Sequence, residues 1–376
     1  MKEDIYIQCK EVSIGYRERS TTSVVVKKDI SLHALSGEMV ALIGGNGIGK
    51  STLLKTIAGF MPPLSGELLV RHRPVSDFSV AELALEMSFV STEIVRVANL
   101  TVREMVGLGR FPYTNWFGQL SDNDQMIIDR AILQTGLSGY ENRPINRISD
   151  GERQRAMIAR ALAQDTRIMV LDEPTAFLDI SNKYEIVRIL HQLVSEQGKC
   201  IIFSTHDLNT SLTMADRIWL MLEDRVVEGI PEEMASAGYF ESLFPNNQHL
   251  RFDPERDDFR IKRENYGVVN LTASGQELIW AKKALERLGF EVIPSPLVPQ
   301  SPSPSVSPSL RRPSHPSRPS PSVSPSLRPS VPPSISIDVI QQPKGWNIIH
   351  SGILNNVATL EDLCRSIKKI STQPGF

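Results

Sequence analysis

The chain has 376 residues, of which 41 are Lys or Arg and 43 are Asp or Glu; the net charge of −2 leaves no field for a general polyanion binder, and no nucleic-acid partner is expected. With 41% hydrophobic and 22% charged residues it suits a globular protein of two or three domains, and no apolar run approaches the roughly 18 to 20 residues of a membrane-spanning helix. Cys9, Cys200 and Cys364 are far apart and form no Cys-x-x-Cys, which excludes a disulfide framework and the usual zinc spacings; without a secretory pattern at its start, a cytoplasmic protein is expected.

From the first residues to about 243, strands alternate with helices, the pattern of an α/β domain with a mainly parallel sheet. Three short apolar runs, 39–43, 168–171 and 200–204, read as strands buried on both faces, and each ends in polar or glycine residues. Ligands of parallel sheets gather at such carboxyl ends. Behind the first run stands Gly44-Gly45-Asn46-Gly47-Ile48-Gly49-Lys50-Ser51, and a helical run 52–58 follows. Strand, glycine loop and helix in that order predict a phosphate-binding loop for ATP and Mg²⁺. Gly44, Asn46, Gly47, Gly49 and Thr52 surround the phosphates in this reading; Lys50 neutralises the β- and γ-phosphates, and the Ser51 hydroxyl is a metal ligand. A further strand is expected at 87–90. Residues 101–164 lack strand signals and repeat apolar residues at spacings of three and four, which predicts a helical subdomain interrupting the sheet. The second apolar run delivers Asp172-Glu173 to the ligand edge, Asp172 toward the metal and Glu173 to orient and polarise the attacking water.

Beyond residue 245 a different pattern begins. A hairpin around 250–261 precedes a strand at 268–271, a helix at 276–288 capped by Gly289, and a strand at 290–293. Residues 294–334 hold 14 Pro and 14 Ser in 41 positions, and the decamer 302–311 recurs at 319–328. Such a stretch cannot form a core, and a solvated spacer or a docking site for a proline-recognising domain are its two readings. Strands at 335–340 and 346–350 and a capping box from Thr359 to Asp362 complete the chain. The expected organisation is a first domain over 1–245, a split α/β accessory domain over 246–293 and 335–376, and a disordered insertion over 294–334 whose removal leaves folding intact.

Ile148-Ser149-Asp150-Gly151-Glu152-Arg153-Gln154-Arg155, upstream of Leu171-Asp172-Glu173-Pro174-Thr175, resembles the signature motif of the ATP-binding-cassette (ABC) ATPases. Arg160-Ala161-Leu162, Phe177-Leu178-Asp179 and His206 match that family in order and spacing over residues 5–243. The resemblance implies an α/β cassette with a helical subdomain, working as a head-to-tail homodimer. Ser149 and Gly151 of one copy would then face ATP held by the other, with Asp179 close by. It further implies that His206 contacts the γ-phosphate and holds Glu173, and that Tyr16 stacks on adenine. Two positions depart from the pattern. Ser91-Thr92-Glu93 stand where the family usually has Gln, so Thr92 is the aligned substitute at the metal, and Asp150 replaces a glycine, placing a carboxylate near a triphosphate. Residues 100–113, ending in Gly109-Arg110-Phe111-Pro112-Tyr113, resemble importers for ferric siderophores, haem and cobalamin. This implies separate permease subunits, a substrate-binding protein and a position on the inner face of the cell membrane; a cassette ATPase not coupled to transport is the alternative.

Overall fold

The computed structural model describes residues 4–17, 23–91, 100–114, 118–176, 178–244, 247, 250–253, 258–261, 266–295, 335–343, 345–351 and 353–371. The chain divides into two compact units, Met1–Ile261 and Lys262–Phe376.

In the first unit the three apolar runs become neighbours in a six-stranded sheet. Its order is Val226–Gly229, Arg217–Met221, Met39–Gly44, Cys200–Thr205, Ile168–Leu171, Met87–Val90, parallel throughout except for the first pair. Successive side chains of a strand point to opposite faces, and here both faces are covered. Val40 and Leu42 pack with Leu53, Leu54 and Ile57 of the helix Lys50–Ile57, while Met39, Ala41 and Ile43 join a second cluster with the helical segments. Two-sided burial is why these runs are apolar throughout instead of alternating.

The expectation of a mainly parallel unit covers only part of this architecture. A second sheet, antiparallel, runs Ser23–Leu35, Ile5–Arg17, Ser65–Val70, Arg73–Pro74. Its central strand Ile5–Arg17 hides its period: the register shifts between Cys9 and Val12, with Glu11 at φ 50°. An extra residue in one strand moves the following side chains to the other face, so the alternation that announces a strand is lost.

Helices Val102–Gly107, Asp122–Gln134 and Asp150–Ala163 form the segment expected to be helical. Each opens on a reciprocal capping box, Thr101 with Glu104, Ser121 with Asp124 and Ser149 with Glu152. The stretch 109–113 has a packing role here. A Cβ on Gly109 would lie 2.1 Å from the carbonyl oxygen of Arg160. The Arg110 guanidinium is buried, donating to Asp124 Oδ1 at 2.8 Å and to the Ala163 carbonyl at 2.9 Å, with its centre 3.8 Å from the centroid of the Tyr113 ring. Tyr113 donates to the Gln164 carbonyl at 3.0 Å. Hydrogen bonds from Ser121 and then Arg110 hold the Asp124 carboxyl down at about 2.

The hairpin of Leu250–Asp253 and Asp258–Ile261 belongs with the first unit, which moves the expected boundary from 245/246 to 261/262. Aromatic packing is the reason: Phe252 lies 5.0 Å from Phe240, and Phe259 lies 4.9 Å from Phe244, between ring centroids. The second unit is a five-stranded sheet in the order Phe290–Ser295, Gly267–Thr272, Ile335–Gln342, Gly345–His350, Ile353–Val357. The first three strands are parallel and the rest antiparallel. Val269, Leu271, Ile337, Val339 and Ile348 share one core with Ala281 and Leu285 of the helix Gly275–Arg287 and with Leu363 and Ile367 of the helix Leu360–Ser371. Ile353–Val357 was not expected, because an exposed edge strand carrying Asn355 and Asn356 has no buried face to pattern it.

Pro294 and Ser295 are part of an edge strand, paired with Leu271 and Thr272, so the insertion begins at 296; residues 296–334 lie outside the described residues. Phe290–Ser295 and Ile335–Gln342 flank Gly267–Thr272 and run parallel, which corrects the expectation that the insertion is dispensable as a whole. From Ser295 the chain must return the length of a strand, about 17 Å, and cross two strand spacings, about 10 Å. Replacing 296–334 with about 12 Gly/Ser residues is expected to keep the far-ultraviolet circular dichroism and the unfolding midpoint, whereas joining 293 directly to 335 is expected to abolish the cooperative transition of this unit. Arg110→Ala removes the cation from a buried Asp124 carboxylate, which keeps only its Ser121 hydrogen bonds, and is expected to cost roughly 3 kcal/mol in urea unfolding. Because the Asp124 pKa is depressed, its contribution is present above the ordinary carboxylate range and disappears as pH falls through about 2.

Candidate active site

The phosphate-type loop takes its shape from glycine. Gly47 has φ +73° and Gly49 φ +116°, the left-handed region that side chains avoid. A Cβ on Gly49 would also come within 2.5 Å of Val26 Cγ1, whereas one on Gly45 or Gly47 would meet nothing within 4 Å. The loop is therefore anchored at Gly49 and open over Gly45 and Gly47. It leads into the N-terminus of Lys50–Ile57, whose first turn carries no acidic residue, so unpaired backbone N–H groups and the helix dipole favour an anion there. Lys50 is buried. Its ammonium donates to the Gly44 and Gly45 carbonyls at 3.0 and 3.1 Å and lies 3.2 Å from His206 Nε2. Burial lowers its pKa below the ordinary lysine value, and Glu173 and then Asp172 pull it back up.

Asp172, Glu173 and His206 stand at the ends of the two strands next to the loop strand or beyond it. Asp172 is 3% exposed. Ser204 donates to its Oδ1 at 2.7 Å and accepts the Glu173 N–H at 2.9 Å. Glu173 adopts φ +46°, a conformation that costs a non-glycine residue about 1–2 kcal/mol. Its Oε1 lies 2.7 Å from His206 Nε2. His206 thereby links Lys50 with Glu173, and Ser204 ties Asp172 to the backbone of Glu173. Tyr16, next to the last residue of its strand, is half exposed, and its hydroxyl is 2.9 Å from Thr52 Oγ1, which pins the ring beside the loop helix.

The signature residues form a separate group. Ser149 caps Asp150–Ala163, its hydroxyl accepting the Glu152 N–H at 3.2 Å. Asp150 accepts from Arg153 at 2.6 Å, which supplies the cation that a carboxylate at this position calls for. Gly151 lies against Asn182, whose side chain a Cβ would meet at 2.4 Å. Asn182 in turn donates twice to Asp179, at 2.8 and 3.1 Å, and accepts from Arg155 at 3.2 Å. Among the described residues, the hydrogen bonds of this group do not reach those of the loop group. Thr92 lies outside the described residues. The sequence reading missed Ser204 and Asn182, whose roles rest on partners distant in sequence, Asp172 and Glu173 for Ser204 and Gly151 and Arg155 for Asn182.

The residues present fit a nucleotide with its metal. The loop offers open space and backbone donors to a polyphosphate, and Ser51 and Asp172 offer the hard oxygen ligands that Mg²⁺ prefers. No group of three His, Cys, Asp or Glu among the described residues is placed to hold a metal.

A family model described as ABC transporter matches residues 27–176. The achromobactin transport ATP-binding protein of Dickeya dadantii is 35% identical over 250 residues, 66% of this chain and 91% of that protein. The iron(3+)-hydroxamate import ATP-binding protein of Bacillus subtilis is 34% identical over 249 residues, again 66% and 91% of the two chains. Among solved structures, a cassette in a post-hydrolysis state bound to ADP and Pi superposes with a TM-score of 0.53 at 28% identity, covering 60% of this chain and 98% of its own.

Proposed function

Since the chain belongs to the ATP-binding proteins of ABC transporters and is an ATPase of that family, we propose that it energises import of a ferric siderophore, with haem or cobalamin as related cargo, through separate permease subunits. The observation that carries this reading is the complete cluster of Lys50, Asp172, Glu173 and His206 at one sheet edge. The cargo class rests on relatives whose names specify achromobactin and iron(3+)-hydroxamate. No helix among the described residues is long and apolar enough to cross a membrane. In this proposal the chain sits on the inner face of the membrane and the permease supplies the pathway, with a substrate-binding protein delivering the cargo. A groove of about 300 Å³ lined by Arg103, Glu104, Leu108, Phe111, Leu120 and Ile128 supports a permease contact on the helical subdomain; Phe111 at its rim is 75% exposed.

The geometry supports a proposed division of labour. The loop backbone from Gly44 to Gly49, including Asn46, with Lys50 and Thr52, holds the phosphates, and Tyr16 offers its ring face to adenine. Ser51 and Asp172 would hold Mg²⁺, and Thr92 keeps its place in the proposal as the residue aligned with the usual Gln; when bound, the metal would supply charge neutralisation on the phosphate oxygens. Glu173 orients the attacking water and accepts its proton, and His206 keeps that carboxylate aimed. Ser149 and Gly151 of a second copy, with Asp179 beside them, close over the nucleotide, so each ATP lies between two chains.

Glu173→Gln is expected to lower steady-state turnover at least about 100-fold while ATP binding persists. In a strain lacking the native gene, the same variant is expected to restore no ferric-siderophore uptake although it still co-purifies with a polytopic membrane protein. Unchanged turnover would remove Glu173 from its role. Normal uptake by cells without the chain would replace the importer reading with that of an uncoupled cassette ATPase.

A further inference from the structure

Ser204 is one position past the paired residues Leu171 and Phe203, on the strand between the loop strand and the one that ends in Asp172-Glu173. It is fully buried. The direction of its two hydrogen bonds is dictated by chemistry. A backbone N–H can only donate, so the Ser204 oxygen accepts from Glu173 at 2.9 Å. Its single proton is then free for Asp172 Oδ1 at 2.7 Å, an acceptor when ionised. One side chain thus fixes a carboxylate and the backbone of the adjacent residue, and that residue is the one held at φ +46°. A backbone in this region persists only where surrounding contacts over-determine it. Oδ1 of Asp172 being taken, the orientation of its other oxygen follows.

We propose that Ser204 is a positioning residue for hydrolysis, whose hydroxyl sets the metal-holding carboxylate of Asp172 and the water-orienting Glu173 in a fixed relation to each other. This rests on the roles given to Asp172 and Glu173 above. Groups that orient the ligands of a metal typically change affinity or activity by 10–100-fold when removed, and the same range is expected here.

Ser204→Thr and Ser204→Val have nearly the same shape and differ in the hydroxyl, so comparing them separates hydrogen bonding from packing. In the full-length chain Ser204→Thr is expected to recover most of the turnover, whereas Ser204→Val loses about 10–100-fold in kcat with a change in KM for ATP of less than about threefold. A second reading needs no turnover: in the Glu173→Gln background loaded with ATP, Ser204→Val is expected to weaken Mn²⁺ binding about tenfold, measured by electron paramagnetic resonance, and Ser204→Thr to leave it close to that of the parent. Loss of turnover in Glu173→Gln, together with equal kcat and equal Mn²⁺ affinity for the two Ser204 variants, overturns the proposal alone. Normal turnover in Glu173→Gln overturns the reading of Glu173 and this proposal with it.

Discussion

Burial on both faces is the constraint on which the rest of this cassette depends. Strands Met39–Gly44, Ile168–Leu171 and Cys200–Thr205 are buried along their whole length, and each aliphatic side chain placed there contributes about 1.5–3 kcal/mol. Such strands have no room for unpaired polar groups until they leave the sheet. Because they are parallel neighbours, they leave it at the same edge. Gly44 with its loop, Asp172-Glu173 and His206 therefore converge without any long-range design beyond the order of the strands. Where polar groups do enter the buried layer, as at Lys50, Asp172 and Ser204, each has hydrogen-bond partners.

The signature group is built on a different principle. Ser149, Asp150 and Asp179 all lie at helix starts, and their side chains satisfy local donors or the Arg153 cation. Asn182 joins the two helix starts by touching Gly151 and bonding both Asp179 and Arg155. The result is a preformed surface with its own internal bonds, separate from the loop group within one chain. Such a surface suits a partner that brings its own bound polyphosphate. The proposed sandwich of two copies supplies one.

Local chemistry was legible in the sequence and register was not. The glycine loop, the acidic pair and the capping boxes announce themselves over a few consecutive residues, so Gly49, Asp172 and Thr359 could be placed before any coordinates. The bulged strand Ile5–Arg17 could not, since its shifts at Glu11 cancel the alternation that reveals strands. Ser204 depends on which residue of a neighbouring strand it faces, and no local pattern carries that information. The stretch Gly109 to Tyr113 resembles a transport subgroup, and it also has a packing role that no local pattern announces: its arginine is buried against Asp124 and its tyrosine caps a carbonyl of the Asp150–Ala163 helix end. The hairpin of Leu250–Asp253 and Asp258–Ile261 carries no local signal for its unit, because the aromatic rings it packs on, Phe240 and Phe244, precede it in sequence.

The central claim is that this sheet edge hydrolyses ATP only when the signature surface of a second copy closes over it. The most direct measurement is specific ATPase activity as a function of protein concentration, with the association state followed in parallel by sedimentation. The account requires activity per chain to rise and saturate as dimers form, and to be lost in Ser149→Arg while that variant still binds nucleotide. Full activity per chain in a species that sediments as a monomer at every concentration would contradict it.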